Sequence, residues 1–247
     1  MGVRERFPET SWTLLSRARQ QCDEGSRARE DFAQRYYRPV YEFLLVLVQD
    51  AEQAQDLAQE FFTRLSASGG LLERAHPEKG AFRNYLQQAL RNLATDYHRR
   101  NRKEAVQAHP DQADAGGWDV IELPGFPAAE AAFHHAWVKV TLAEALTRVR
   151  ALCLKRKQEV HLGLFEARYL GEAEMAPTWD ELGARYGMDQ KAARERADTV
   201  VRHFRLILRR MLRNEIEVPG GSAAQRPQVR EAAIDQEIRA LLSPLKD

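Results

Sequence analysis

The residues best suited to holding phosphate stand together at the end of one predicted helix. From Phe82 to Lys103 the chain reads FRNYLQQALRNLATDYHRRNRK. Apolar residues fall at Phe82, Tyr85, Leu86, Ala89, Leu90, Leu93 and Tyr97. That spacing of three and four marks one buried helix face. The pattern runs out into His98, Arg99, Arg100, Arg102 and Lys103, interrupted only by Asn101. Cations are favourable at a helix C-terminus, where the macrodipole is negative, and they are also what a phosphate backbone attracts. Taken alone, the run fits a core helix with a solvated basic end as well as it fits a nucleic-acid surface. Arg91 and Asn92 lie earlier in the same helix. Asn92 carries a donor and an acceptor and so can read a base edge. Tyr85 and Phe82 offer rings for base stacking, worth about 1–3 kcal/mol per base. Phe82 is assigned to the core by its place in the apolar stripe.

A second group is built for duplex DNA. Pro177-Thr178-Trp179-Asp180 starts a helix, with Thr178 as its cap. Leu182 and Tyr186 face inward, and Gly183 is small where two helices cross. Gly187 can take the left-handed conformation that ends a helix. Met188 plugs the corner and Asp189 caps the next helix, whose buried side is Ala193, Ala197, Val200, Phe204 and Leu208. Its exposed side carries Lys191, Arg194, Arg196, Arg202, Arg205 and Arg209. This is the spacing of a helix-turn-helix over 178–209, whose second helix enters the major groove by its N-terminal part. Gln190, Lys191, Arg194, Glu195, Arg196 and Arg202 are the candidate contacts. Arginine suits both phosphate clamping and bidentate contact with guanine. An ordinary helical hairpin with a basic face shares this pattern.

The elements that must position these groups read as helical throughout, so the expected fold class is all-α. A first helical domain spans 10–104. Its first helix is capped by Thr10 or Ser11 and ends near Gly25. A second helix carries Phe32, Tyr36, Tyr37, Val40, Phe43, Leu44 and Leu47, and Pro39 is expected to kink or split it. Asp50 caps AEQAQDLAQEFFTRL, with Ala54, Leu57, Ala58, Phe61, Phe62 and Leu65 in one stripe. A linker over 105–135 follows. Its stretch from 110 on holds Asp111, Asp114, Asp119, Glu122 and Glu130, no Lys or Arg, and several Gly and Pro. A second helical domain spans 136–217. A C-terminal extension, 218–247, holds an amphipathic helix from about Val229 to Leu242.

The 247 residues allow one large domain or two small ones. Charged residues make up 30% and the net charge is +1, a sum that hides basic surfaces behind the acidic linker. No apolar run approaches the ~20 residues of a membrane span. The N-terminal MGVRERFPETSW lacks the apolar core of a signal peptide, so a cytoplasmic protein without a membrane partner is expected. The two cysteines, Cys22 and Cys153, have no metal spacing. His98, His134, His135, His161 and His203 lack ligand spacing, and neither a phosphate loop nor a nucleophile elbow is present. No catalytic residue, metal or cofactor is expected, and an enzyme is disfavoured.

Together these parts resemble a sigma-70 family RNA polymerase sigma factor of the extracytoplasmic-function group. The helix that grips core polymerase in that family reads D-x-x-x-A-x-D-L-x-Q-x-x-F, matched by Asp50, Ala54, Asp56, Leu57, Gln59 and Phe62. The next element is matched by Phe82, Tyr85, Leu86, Leu90, Asn92, Asp96, Tyr97, Arg99 and Arg100. A subgroup abundant in planctomycete-type bacteria is similar along nearly the whole chain. It is matched by Phe7, Pro8, Thr10, Trp12, Thr13 and Leu14, by Tyr37, Pro39, Val40 and Tyr41, and by Lys79, Gly80, Phe82 and Arg83. Departures fall in the second domain. Ala193 replaces a branched aliphatic residue, and Asp198-Thr199-Val200-Val201 replaces a basic cluster.

The resemblance implies that 10–104 is region 2, which binds core polymerase and the −10 promoter element. It implies that 136–217 is region 4, which binds the −35 element. Asp56, Leu57, Gln59, Glu60 and Phe62 would meet a basic coiled coil of the beta-prime clamp, and the beta flap is a further contact. Phe61 and Phe62 could both be core or, since burying both would crowd the domain, one could anchor the interface; the resemblance favours the second. Tyr85, Arg91, Asn92, Arg99, Arg100, Arg102 and Lys103, with the loop 71–81, would meet opened −10 DNA. The acidic linker would either thread a basic channel as an RNA mimic or serve as a plain spacer. Region 4, region 2 or a regulator such as an anti-sigma protein are all open as the docking site of the last helix. The implied function is promoter recognition and transcription initiation. The alternative is a helix-turn-helix regulator that acts without polymerase.

Overall fold

A computed structural model describes residues 11–20, 22–67, 82–108, 125–171, 175–213, 231–236 and 238–239. The fold is all-α, with no strand among the described residues. The chain divides into two compact units, one over Glu9–Val138 and one that includes Lys139–Asp247.

In the first unit, α1 is Ser11–Ala18, α2 is Asp23–Val48, α3 is Ala51–Ser66 and α4 is Phe82–Ala108. Two expectations need correcting. The first helix stops at Ala18, not near Gly25, because Gly25 belongs to the first turn of α2. A Cβ on Gly25 would lie 1.9 Å from the Gln20 carbonyl oxygen, so only glycine lets α2 start this close to the end of α1. Arg29 donates to the Ala18 carbonyl at 2.7 Å and so satisfies an orphan acceptor at that end. The second concerns the split at Pro39, which does not occur, because Pro39 lies inside one continuous α2. Tyr36, Val40, Phe43 and Leu44 are fully buried around it, and packing on both sides of the proline offsets the lost hydrogen bond.

Gln49 closes α2 in the left-handed conformation. Asp50 then caps α3 as expected, accepting from the Gln53 N–H at 2.8 Å. The core joins Phe32, Tyr36, Phe43 and Leu44 of α2 with Ala58, Phe61 and Leu65 of α3 and Phe82, Leu86 and Leu90 of α4. Phe82 meets Phe32 and Tyr36 edge-on at 5.5 and 5.6 Å, a favoured aromatic geometry.

The linker expectation also needs correcting at both ends. Helix α4 continues to Ala108, and α5 (Phe126–Lys155) begins about ten residues before Ala136. Pro127 falls in the first turn of α5, where a missing N–H costs nothing, and alanines follow it. Residues through Val138 belong to the first unit. Phe126 packs on Phe43 at 6.4 Å, and Ala129, Phe133 and Trp137 are buried. Phe133→Ala should therefore destabilise the protein by about 3–5 kcal/mol, read by denaturant unfolding. A spacer residue would shift the midpoint negligibly.

In the second unit the remainder of α5 buries Ala145, Val149 and Cys153. Helices α6 (Glu159–Tyr169), α7 (Trp179–Tyr186) and α8 (Gln190–Leu212) follow. Leu164, Leu182, Ala193 and Ala197 form a fully buried cluster, with Trp179, Tyr186 and Met188 packed around it. Phe165 and Phe204 extend it at 6.2 Å. Helical residues at 231–236 and 238–239 bury Ile234 and Ile238. Asp235 and Glu231 pair with Arg209 and Arg213, tying that segment to α8.

Candidate nucleic-acid interface

Helix α3 divides its motif between two faces. Asp56 and Gln59 are exposed. Leu57, expected at the polymerase contact, is only 4% exposed and packs inward. The stripe that buries Ala54, Ala58, Phe61 and Leu65 carries Leu57 with it, so it supports the face from behind. Phe61 is buried and Phe62 is half-buried, stacked on Tyr37 at 6.0 Å. Glu60 is not a free acceptor, because its carboxylate pairs with Arg64 and with Arg100 at 3.3 Å.

The Glu60–Arg100 pair and a hydrogen bond from Tyr97 to Gln53 lay α4 beside α3. The acidic face and the basic end are therefore neighbours in one unit. Arg99, Arg100 and Asn92 are exposed. Gln88 donates to the Asn92 Oδ1 at 3.2 Å, a bond that does not use the Asn92 amide donors. Tyr85 is half-buried beside Phe82 at 6.1 Å. Burial lowers the His98 pKa, so this imidazole adds no charge to the basic end near neutrality. Arg102 and Lys103 lie in α4, but their side chains, like the loop 71–81, fall outside the described residues.

Arg91, expected at the opened strand, is engaged within the first unit. It pairs with Glu130, and its guanidinium lies 5.8 Å over the Phe126 ring. Arg83 similarly covers Trp137 at 4.5 Å. Both arginines fasten the start of α5 to α4. Reading 126–135 as linker hid these partners. The available signal was Phe126-Pro127 followed by alanines, a helix start.

In the second unit, Thr178 caps α7 by accepting from the Glu181 N–H at 3.3 Å. The Glu181 carboxylate accepts from the Thr178 N–H at 2.8 Å, which completes a capping box. The Thr178 backbone N–H, and then its hydroxyl, hold the Glu181 carboxyl below its usual range. A depressed pKa gives stability that is present above the unfolded value and lost as pH falls through the folded one. Thr178→Ala should cost about 1 kcal/mol near neutrality and less in acid, measured by thermal melts across the carboxylate range.

Gly187 ends α7 at φ 65°, and Asp189 caps α8 by accepting from the Ala192 N–H at 2.6 Å. Gln190, Lys191, Arg194 and Glu195 are exposed on the first turns of α8. Arg196 is half-buried and turns back to the Met188 sulfur at 3.2 Å. Arg202 is exposed but donates to Thr199 at 2.9 Å. It lies about 12 Å along the axis from Arg194 at 1.5 Å per residue, apart from the first turns.

Residues 32–104 match the family model described as Sigma-70 region 2. That segment is similar to region 2 of sigma-70 family sigma factors. Neither the curated proteins nor the solved structures give a significant match to the chain. The region 2 match covers most of α2, all of α3 and α4 up to Glu104. It contains the exposed Asp56 and Gln59, the Asn92 amide and the Arg99–Arg100 end. Residues 126–138, which pack on α2 and α4, lie beyond it. No helix among the described residues is long and apolar enough to cross a membrane.

Proposed function

We propose that this chain is a sigma factor of the extracytoplasmic-function group, similar to the planctomycete-type subgroup, that directs core RNA polymerase to its promoters. The observation that carries this reading is the region 2 match over 32–104, which coincides with the α3 acidic face and the α4 basic end. Asp56 and Gln59 bind the beta-prime clamp, with Phe62 at the margin. Carboxylates meeting arginines there gain charge-assisted hydrogen bonds of roughly 1.5–3 kcal/mol each. Asn92 and Tyr85 face the opened −10 strand. Arg99 and Arg100 hold its backbone, which adds salt dependence more than specificity.

The second unit acts as region 4. Gln190, Lys191, Arg194 and Glu195 enter the major groove of the −35 element, and the beta flap holds the unit on polymerase. Arg91 and Arg196 serve as internal supports. Transcription in vitro with core polymerase on genomic DNA tests the reading. Start sites sharing −35 and −10 sequences at fixed spacing are expected, and starts no different from core alone would refute it. On such a promoter, Arg194→Ala should reduce upstream duplex affinity by about 1–3 kcal/mol, read in run-off transcription. Unchanged promoter selectivity would remove Arg194 from the reading residues.

A further inference from the structure

The C-terminal half of α8 and the helical residues at 231–239 border a groove of about 600 Å³. Four arginines line it, Arg202, Arg205, Arg209 and Arg239, against a single carboxylate, Asp235. That carboxylate is already paired with Arg209. Arg239 spends its Nε on the Asp235 carbonyl at 3.1 Å. Arg205 has no hydrogen-bond or ion-pair partner among the described residues. Between these cations lie two apolar side chains, Leu206, which is 46% exposed, and Ile238.

Cations held this close raise one another's energy, and an incoming anion relieves that repulsion. Charge alone fits a phosphate backbone or a carboxylate-bearing peptide equally. Leu206 discriminates between them. A phosphate backbone offers it no apolar partner. An acidic peptide with an aliphatic or aromatic residue covers it while its carboxylates take up the guanidinium forks. The groove is also remote from the first turns of α8, since Arg205 lies about 16 Å along the axis from Arg194 at 1.5 Å per residue. We propose that this groove docks an acidic, amphipathic peptide segment of a partner protein, with carboxylates on Arg202, Arg205 and Arg239 and an apolar side chain on Leu206. This is separate from the proposed clamp contact, which uses α3, and from the first turns of α8.

Fluorescence anisotropy on the full chain tests it with three labelled probes. These are a peptide alternating Glu pairs with Leu, an all-Glu peptide of the same length, and a short random-sequence duplex. The Glu–Leu peptide is expected to bind more tightly than the all-Glu peptide. Arg205→Glu with Arg239→Glu should weaken it by about tenfold or more, the equivalent of one charge-assisted contact. Leu206→Ser, on an exposed position that leaves the fold intact, should remove the preference for Leu while duplex binding stays unchanged. Equal binding of both peptides to the unaltered chain, or insensitivity of the Glu–Leu peptide to all three substitutions, would overturn the proposal. So would parallel loss of duplex binding with displacement of the peptide by duplex, which would make the groove a phosphate surface.

Discussion

Asp56→Arg is expected to weaken binding to core RNA polymerase by about a hundredfold or more while leaving the fold intact. The first half of the expectation is electrostatic. The substitution removes a carboxylate that accepts from a basic partner and places a like charge against that partner. Loss of one charge-assisted contact, roughly 1.5–3 kcal/mol, is itself about ten- to a hundredfold, and repulsion adds to it. The second half follows from exposure, because Asp56 stands on the outer face of α3 while Leu57, Ala58 and Phe61 pack inward. Exposed substitutions of this kind change stability by about 0.5 kcal/mol or less. Titration of labelled chain with core polymerase reads the first effect, and a melt of the same variant reads the second. Undiminished affinity with an unchanged melt would remove Asp56 from the interface.

Gly183→Ala should destabilise the second unit, although alanine in a helix interior is usually better than glycine by about 0.5–1 kcal/mol. Packing outweighs propensity at this position. The new Cβ would sit 2.7 Å from the Met188 carbonyl oxygen and 3.2 Å from the Asp189 carbonyl carbon. Both are backbone atoms of the turn that Gly187 and the Asp189 cap hold in place, so neither can swing aside as a side chain would. Overpacking of this sort costs typically about 1–3 kcal/mol, more than the propensity gain. Denaturant unfolding should show a lower midpoint, and a stabilised variant would mean that the α7–α8 corner yields. Gly187 makes a useful contrast. Nothing lies within 4 Å of its added Cβ, and its cost arises from its φ of 65° alone.

The all-α fold and the faces of α3, α4 and α8 were legible because apolar residues at helical spacing report burial directly. Phe82, Leu86 and Leu90 are buried as that spacing predicts, and Asp50, Thr178 and Asp189 cap as their types predict. Long-range partners were less legible. Arg91 looks like a phosphate ligand in its own helix, and only its meeting with Glu130 across 39 residues reveals a support. Glu60 likewise meets Arg100 across 40 residues, a pairing that the motif around it does not reveal. Leu57 was assigned to the interface with its motif, though the stripe that contains it already argued for the core. Residues 126–135 were read as spacer because acidic residues and prolines suggest loops, whereas a proline in the first turn begins a helix. The docking of the C-terminal segment on α8 depends on Arg209 and Arg213 meeting carboxylates 26 and 18 residues away, which periodicity cannot supply.

Direct binding of the unaltered chain to purified core polymerase tests most simply whether the 32–104 segment grips the enzyme. A saturable one-to-one complex that gains promoter-specific initiation on binding is expected. A chain that binds promoter duplex by itself but does not associate with core would contradict it and make this a DNA-binding regulator instead.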